Sequence, residues 1–387
     1  MRSSTVNLFG LLIVSCLAAC GPGSDYPPQR SAVIPLDGQV LFPVALDSEN
    51  RPFHMVVDTG AVRSVAEEAL LREVVNGVGK VTIDFGHGLV LQDYEVIAAD
   101  LSEAVNHIGT PLHGLIGQDL FFDYFFGLDY RNSKVYMDEL VPESPPPGFS
   151  TNDGVNLTYE LVQNMPVMNV DIGGRTAKLI ADTGSGVTIL TRSFVEQQLL
   201  ESGLEGYIWY TSYGSDPSTI VRLPSIKLGG IEVADSWAVV VPDDFHLKQV
   251  FEMLGIYVDG FIGYPVYRRF FIEIFGAENR YVFYPYPNNS HVDANEWDRV
   301  GCEIMRADGQ VTVDMIFAGS DAAAQGLAAG DILVAVDGTQ VSTLELDQIR
   351  LMLRGSPDDS RNLSIVRQSN NLELYLAVDR LLPPLQE

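Results

Sequence analysis

Met55-Val56-Val57-Asp58-Thr59-Gly60 and Leu179-Ile180-Ala181-Asp182-Thr183-Gly184 carry one pattern twice, an apolar run entering an Asp-Thr-Gly triplet. By chance, one such triplet is expected in roughly one chain in ten of this length. Two copies in matching surroundings are much harder to reach that way. Phe42-Pro43-Val44-Ala45-Leu46 precedes the first copy and Met165-Pro166-Val167-Met168 the second, each separated from its triplet by a polar turn. Each repeat therefore reads as a β-hairpin whose second strand delivers an aspartate into a loop. Downstream, Leu115-Ile116-Gly117 and Phe261-Ile262-Gly263 correspond, and each leads into an aromatic-rich strand pair, 121–136 and 267–283. The repeats define two homologous β-rich lobes, 32–140 and 152–286, joined by a Pro-rich linker at 141–151.

The lobes differ in length at one place. Asp58 to Gly117 spans 59 residues and Asp182 to Gly263 spans 81. Aligning Thr82-Ile83-Asp84-Phe85-Gly86 with Ser225-Ile226-Lys227-Leu228-Gly229 puts 19 of the extra residues between the second Asp loop and that strand. The added segment, about 207–221, has two β-prone arms around Gly214-Ser215-Asp216-Pro217 and is predicted to be a hairpin present in the second lobe only.

A chain of 387 residues with 46% apolar and 19% charged residues is globular and long enough for two or three units. Its net charge of -27, with no basic stretch in the sequence, argues against a phosphate-binding face, so nucleic acid is not an expected partner. Six scattered histidines and three cysteines provide no zinc spacing, and neither metal nor cofactor is expected.

Arg2 and the short apolar run that follows end in Leu17-Ala18-Ala19-Cys20, which resembles a bacterial lipobox. That resemblance implies a signal peptide at 1–19, lipid on Cys20, a tether at 20–31 and a place in the cell envelope. Gly21, rather than Asp, after the cysteine points to the outer membrane, facing the periplasm. With Cys20 lipidated, Cys302 has no disulfide partner.

Residues 295–387 form a third unit. Ser320-Asp321-Ala322, Gly326-Leu327 and Gly330-Asp331-Ile332 give it a resemblance to bacterial PDZ domains. The resemblance implies an α+β fold that takes a C-terminal peptide beside Cys302 and Ile304. It puts Val300, Gly301 and Cys302 in the carboxylate loop. Leu344, Gln348 and Leu351 are expected on a helix that starts at Leu344, capped by Ser342 or Thr343.

Over 32–286 the chain resembles the pepsin and retropepsin clan, and specifically bacterial retropepsin-like lipoproteins that carry a PDZ domain. The implied fold class is mainly β: two homologous acid-protease β-barrel lobes plus the PDZ domain. In that family the two aspartates, here Asp58 and Asp182, share one proton and activate water between them. Thr59 and Thr183 bond across to the opposite loop. Gly60 and Gly184 let backbone N–H groups reach the carboxylates, and Gly117 and Gly263 allow close passage behind the loops. Ser185 can donate to Asp182, whereas Ala61 offers Asp58 nothing equivalent, and Arg63 could bias the pair towards ionisation. The 207–221 hairpin, with Trp209, Tyr210, Tyr213 and Gly214, would be a flap over substrate. The implied activity is that of a monomeric aspartic endopeptidase acting on peptides. The competing function is a catalytically silent envelope lipoprotein that binds peptides through its PDZ groove.

Overall fold

A computed structural model describes residues 26–27, 29–31, 41–46, 52–71, 73–109, 111–199, 208–213, 216–244, 251–253, 255–288 and 295–382. The protein is mainly β. Among the described residues no helix is long and apolar enough to cross a membrane.

The strand Pro52–Val57 delivers Asp58, and Arg175–Ala181 delivers Asp182. Each pairs antiparallel with the strand before it, Leu41–Leu46 or Met165–Ile172. Each also runs parallel to the short strand that ends at the later glycine. Val57 lies opposite Ile116 in one case and Ala181 opposite Ile262 in the other. A third correspondence follows, with Val65–Glu67 parallel to Val90–Ala99 and Ile189–Thr191 parallel to Trp237–Val241. These pairings belong to two separate sheets. One apolar cluster, from Phe53 and Met55 through Leu179 and Leu190 to Phe283, runs continuously between them.

A six-stranded sheet joins the two halves. Phe125–Asp129 pairs antiparallel with Phe270–Phe275, Leu128 lying opposite Ile272. Chain segments expected to be connectors are docked on this sheet. Gln29–Ser31 is an edge strand against Lys134–Asp138, and Tyr26 is buried with its ring edge-on to Phe125, Tyr136 and Phe271. The tether expected at 20–31 therefore gives way to folded structure by Tyr26, because aromatic burial and strand pairing outweigh the local Pro-rich composition. Within the 141–151 linker, Pro146 is buried, and Phe149 packs on Phe271, Tyr284 and Tyr286.

Under Tyr26 lies a buried carboxyl. The Tyr26 and Tyr284 hydroxyls donate to the two oxygens of Glu273, at 3.0 and 3.1 Å. Burial raises the Glu273 carboxyl from an ordinary 4.5 to about 7, and these two hydrogen bonds only partly oppose it. A carboxyl with a raised folded pKa holds its proton more tightly in the native state. Its stabilisation is complete below the unfolded value and is lost as pH rises through about 7. Glu273→Gln is expected to flatten this part of the stability profile between pH 4.5 and 7, a span of up to about 3 kcal/mol. Urea denaturation across that range checks it, and an unchanged slope would contradict the assignment.

The C-terminal unit is a sheet in the order 302–307, 310–316, 332–336, 360–367, 370–377, with the helix Leu346–Met352 packed on it through Leu346, Ile349 and Leu353. The helix starts two residues later than the sequence suggests. Its N-cap is Glu345, whose N–H donates to the Gln348 side chain at 3.0 Å. Gln348 and Leu351 are exposed, while Leu346 and Arg350 are buried, Arg350 reaching the Ile304 carbonyl of the 302–307 strand.

Candidate active site

The two Asp-Thr-Gly loops meet, although 124 residues separate them in sequence. Thr59 N–H donates to Thr183 Oγ1 and Thr183 N–H to Thr59 Oγ1, both at 3.0 Å. Each threonine hydroxyl then donates to a carbonyl of the opposite strand, Thr59 to Ala181 at 2.7 Å and Thr183 to Val57 at 2.6 Å. Both threonines are buried. This four-bond lattice satisfies every polar group it encloses and ties the loops in one register.

The lattice brings the carboxyls together. A Cβ on Gly60 would lie 2.6 to 2.8 Å from the carboxyl atoms of Asp182, and one on Gly184 would lie 2.6 and 2.7 Å from the Asp58 oxygens. Any side chain at either glycine would displace the opposite aspartate. Within its own loop, Asp58 Oδ1 accepts from the N–H of Gly60 at 2.8 Å and of Ala61 at 3.0 Å. Asp182 Oδ1 accepts from Gly184 N–H at 2.9 Å.

Each loop rests on its apolar-apolar-Gly strand in the same way. Asp58 N–H donates to Ile116 O at 2.9 Å, and Asp182 N–H to Ile262 O at 3.0 Å. A Cβ on Gly117 would lie 2.6 Å from Arg63 O, and one on Gly263 2.7 Å from Ser185 O, which explains both glycines as close-passage sites. Sequence reasoning missed three supports. Ser64 Oγ accepts from Gly117 N–H at 3.0 Å, and Thr188 Oγ1 does the same for Gly263 at 3.3 Å. Gln118 Nε2 donates to Thr59 O at 2.6 Å. Ser64 and Thr188 both stand six residues after an aspartate, so superposing the repeats could have found them.

Burial raises both carboxyls of the pair, Asp182 well above the ordinary value, with the Asp58 charge adding to the effect there. The loop N–H groups oppose the shift without cancelling it. Two carboxyls in hydrogen-bond contact cannot both ionise at modest cost, so when one ionises its partner keeps the proton that they share.

Two sequence expectations are corrected here. The Ser185 hydroxyl donates to Val187 O at 2.7 Å, within its own turn, and Ser185 supports Asp182 through its backbone N–H instead. Arg63 is exposed and acts on Tyr94 rather than on either aspartate.

The inserted hairpin is formed by Ile208–Tyr213 and Asp216–Arg222, with Tyr213 opposite Asp216, and the second arm joins Trp237–Val241. Gly214 lies outside the described residues, as does Cys20; of Trp209, Tyr210 and Tyr213 only the backbone is described. In the C-terminal unit, Val300 N–H donates to Leu353 O at 2.8 Å and Cys302 N–H to Val300 O at 2.7 Å. Those two N–H groups are engaged within the unit. Cys302 is buried, its thiol pushed up to about 12, so it is not a nucleophile. Ile304 is buried in the strand at the groove, and its carbonyl accepts from Arg350 at 3.4 Å. Leu344 is half-buried against the core. Among the described residues, no group of three or more His, Cys, Asp and Glu side chains is placed to hold a metal ion.

Residues 168–266 match the family described as aspartyl protease. Residues 317–367 match the PDZ domain. The chain thus contains an aspartyl protease-like domain followed by a PDZ domain. The first match contains Asp182 and Gly263; Asp58 lies before it. No curated protein matches the chain. One similar solved structure is the photosystem II D1 C-terminal processing protease, 29% identical over 21% of this chain, with a TM-score of 0.21. The similarity spans 23% of that protein's length.

Proposed function

We propose that the protein is an aspartic endopeptidase whose single active site is the Asp58–Asp182 pair. The observation that carries this reading is the reciprocal threonine lattice, which fixes two raised carboxyls in contact across the repeat. In the mechanism the ionised carboxylate removes a proton from water as it attacks the scissile carbonyl. The protonated partner donates to the carbonyl oxygen. The tetrahedral intermediate collapses as a proton passes to the leaving amine, and the pair regains its one-proton state. Asp58 and Asp182 titrate as a unit, so the base is the pair rather than one residue.

Around that site, lobes at 32–140 and 152–286 form the cleft, the inserted hairpin covers it, and the PDZ unit binds peptide. The enzyme works as a monomer, held by lipid on Cys20 at the periplasmic face of the outer membrane.

The test is digestion of an unfolded protein by the purified chain between pH 3 and 7, with and without a chelator. Cleavage that resists chelation is expected, with activity falling at the alkaline end as the pair loses its shared proton. Peptide binding without cleavage would favour the silent lipoprotein instead.

A further inference from the structure

A cavity of about 360 Å³ lies where three parts of the chain converge. The second Asp loop contributes Gly186 and Val187, directly after the residues that hold Asp182. The base of the inserted hairpin and its neighbouring strand contribute Ile220 and Val239. The helix Ser102–Ile108 contributes His107, and the C-terminal unit closes the far side with Trp297, Met315 and Phe317.

The C-terminal unit is fixed there rather than loosely tethered. Ile220, Trp237, Trp297, Met315, Phe317, Leu381 and Leu382 form one buried cluster that crosses the junction. The Trp237 and Trp297 rings meet edge-on at 4.9 Å, and Arg222 Nη2 donates to Leu382 O at 3.0 Å. Glu296 accepts from Trp237 Nε1 at 2.7 Å and takes both Arg268 nitrogens at 2.8 and 2.6 Å. On the other side, Arg350 donates to the carbonyls of His107 and Ile108 at the end of the 102–108 helix, at 2.5 and 3.4 Å. A Cβ on the following Gly109 would lie 2.6 Å from Leu346. The C-terminal unit therefore spans from one half of the protease to the other beside the Asp182 loop.

We propose that this cavity is a substrate subsite, walled by the C-terminal unit, that takes a large apolar side chain of an extended polypeptide. The proposal rests on the peptidase reading above and goes beyond it by assigning specificity to Met315, Phe317 and Trp297. Val187, Ile220, Val239, Trp297, Met315 and Phe317 form an apolar wall that selects an aliphatic or aromatic side chain, and Glu296, Arg299, Glu303, Arg350 and Arg354 line the remainder. At the rim, Asp314 sits 3.7 Å from His107, and Arg299, Arg350 and Arg354 line the same cavity, so the polar edge carries both signs of charge. Gly186 and Val187, four and five residues after Asp182, line the site, so the selected residue is expected within a few positions of the scissile bond. The unit then reads the same segment that is cut, in addition to any peptide held elsewhere.

The experiment is digestion of a mixed peptide library by the full chain, with residue frequencies read around each cut. The wild type is expected to enrich large apolar residues about ten-fold at one position within roughly four residues of the scissile bond. Met315→Ala enlarges the cavity and should move that preference towards tryptophan. Asp314→Lys, at the partly exposed rim, should instead shift the charge preference beside it towards acidic residues without touching the buried cluster. Cuts with no such position, or a preference that neither variant moves, would overturn the subsite while leaving the dyad assignment standing. Absence of any cleavage that depends on Asp182 would remove the peptidase reading and this proposal with it.

Discussion

Asp182→Asn is expected to lower peptide cleavage by about 10²- to 10⁴-fold or more, the scale on which general acid–base catalysis contributes. The same variant should fold normally. Asparagine keeps an oxygen where Asp182 Oδ1 accepts from Gly184, and the threonine lattice involves neither carboxyl. It also removes one of the two buried ionisable carboxyls, so its melting temperature at neutral pH should equal or exceed that of the wild type. The sign follows from linkage: raised carboxyls stabilise the fold at low pH, and that contribution is lost as pH climbs through their folded values. Removing one of them therefore helps most on the alkaline side. Asp58→Asn should behave alike, since its Oδ1 likewise accepts loop N–H groups. Both loops of the pair come from one chain, so mixing the two inactive variants should restore nothing. Recovery on mixing would mean that lobes pair between chains, and near-normal activity in either variant would dismiss the dyad.

The core of this site was legible because its chemistry is local. An apolar strand, Asp-Thr-Gly and a later apolar-apolar-Gly strand are each short patterns, and their repetition predicts a pair. The residue spacing also located the inserted hairpin, whose arms pair as Ile208 with Val221. Long-range choices left no such trace. Tyr26 and Glu273 are 247 residues apart, and no periodicity connects a residue in a Pro-rich segment with a carboxyl in a buried strand. The helix Leu346–Met352 shows a different failure. Ser342, Thr343 and Glu345 are all able to cap, and the Glu345–Gln348 bond decides among them. The helix consequently begins two residues later than the Leu344 start that the sequence suggests. The seating of the C-terminal unit was equally hidden, because Ile220, Trp237, Met315 and Phe317 each read as ordinary core residues of their own units.

Excising residues 210–218 is expected to cut kcat/KM by about 10²-fold or more while shifting the melting temperature little. A covering hairpin works by positioning substrate and excluding water, and misplacing a bound peptide by an ångström or so costs that much. Stability should survive because the excision spares the part of the hairpin that is anchored. Ile220, Val221 and Leu223 are buried, and Ile220 to Arg222 pair with Val239 to Trp237. The outer arm, Ile208–Tyr213, instead lies beside the strand Gln310–Ile316 of the C-terminal unit. That contact makes a second outcome measurable. If the C-terminal unit steadies the hairpin, the excision should raise hydrogen exchange in the 310–316 strand as well as reducing turnover. Slower turnover with a largely unchanged KM would place the hairpin's contribution in the transition state, whereas a rise in KM alone would limit it to holding substrate. An excised protein that cleaves as fast as the wild type would show that the hairpin does not cover the cleft, and the length difference between the repeats would need another explanation.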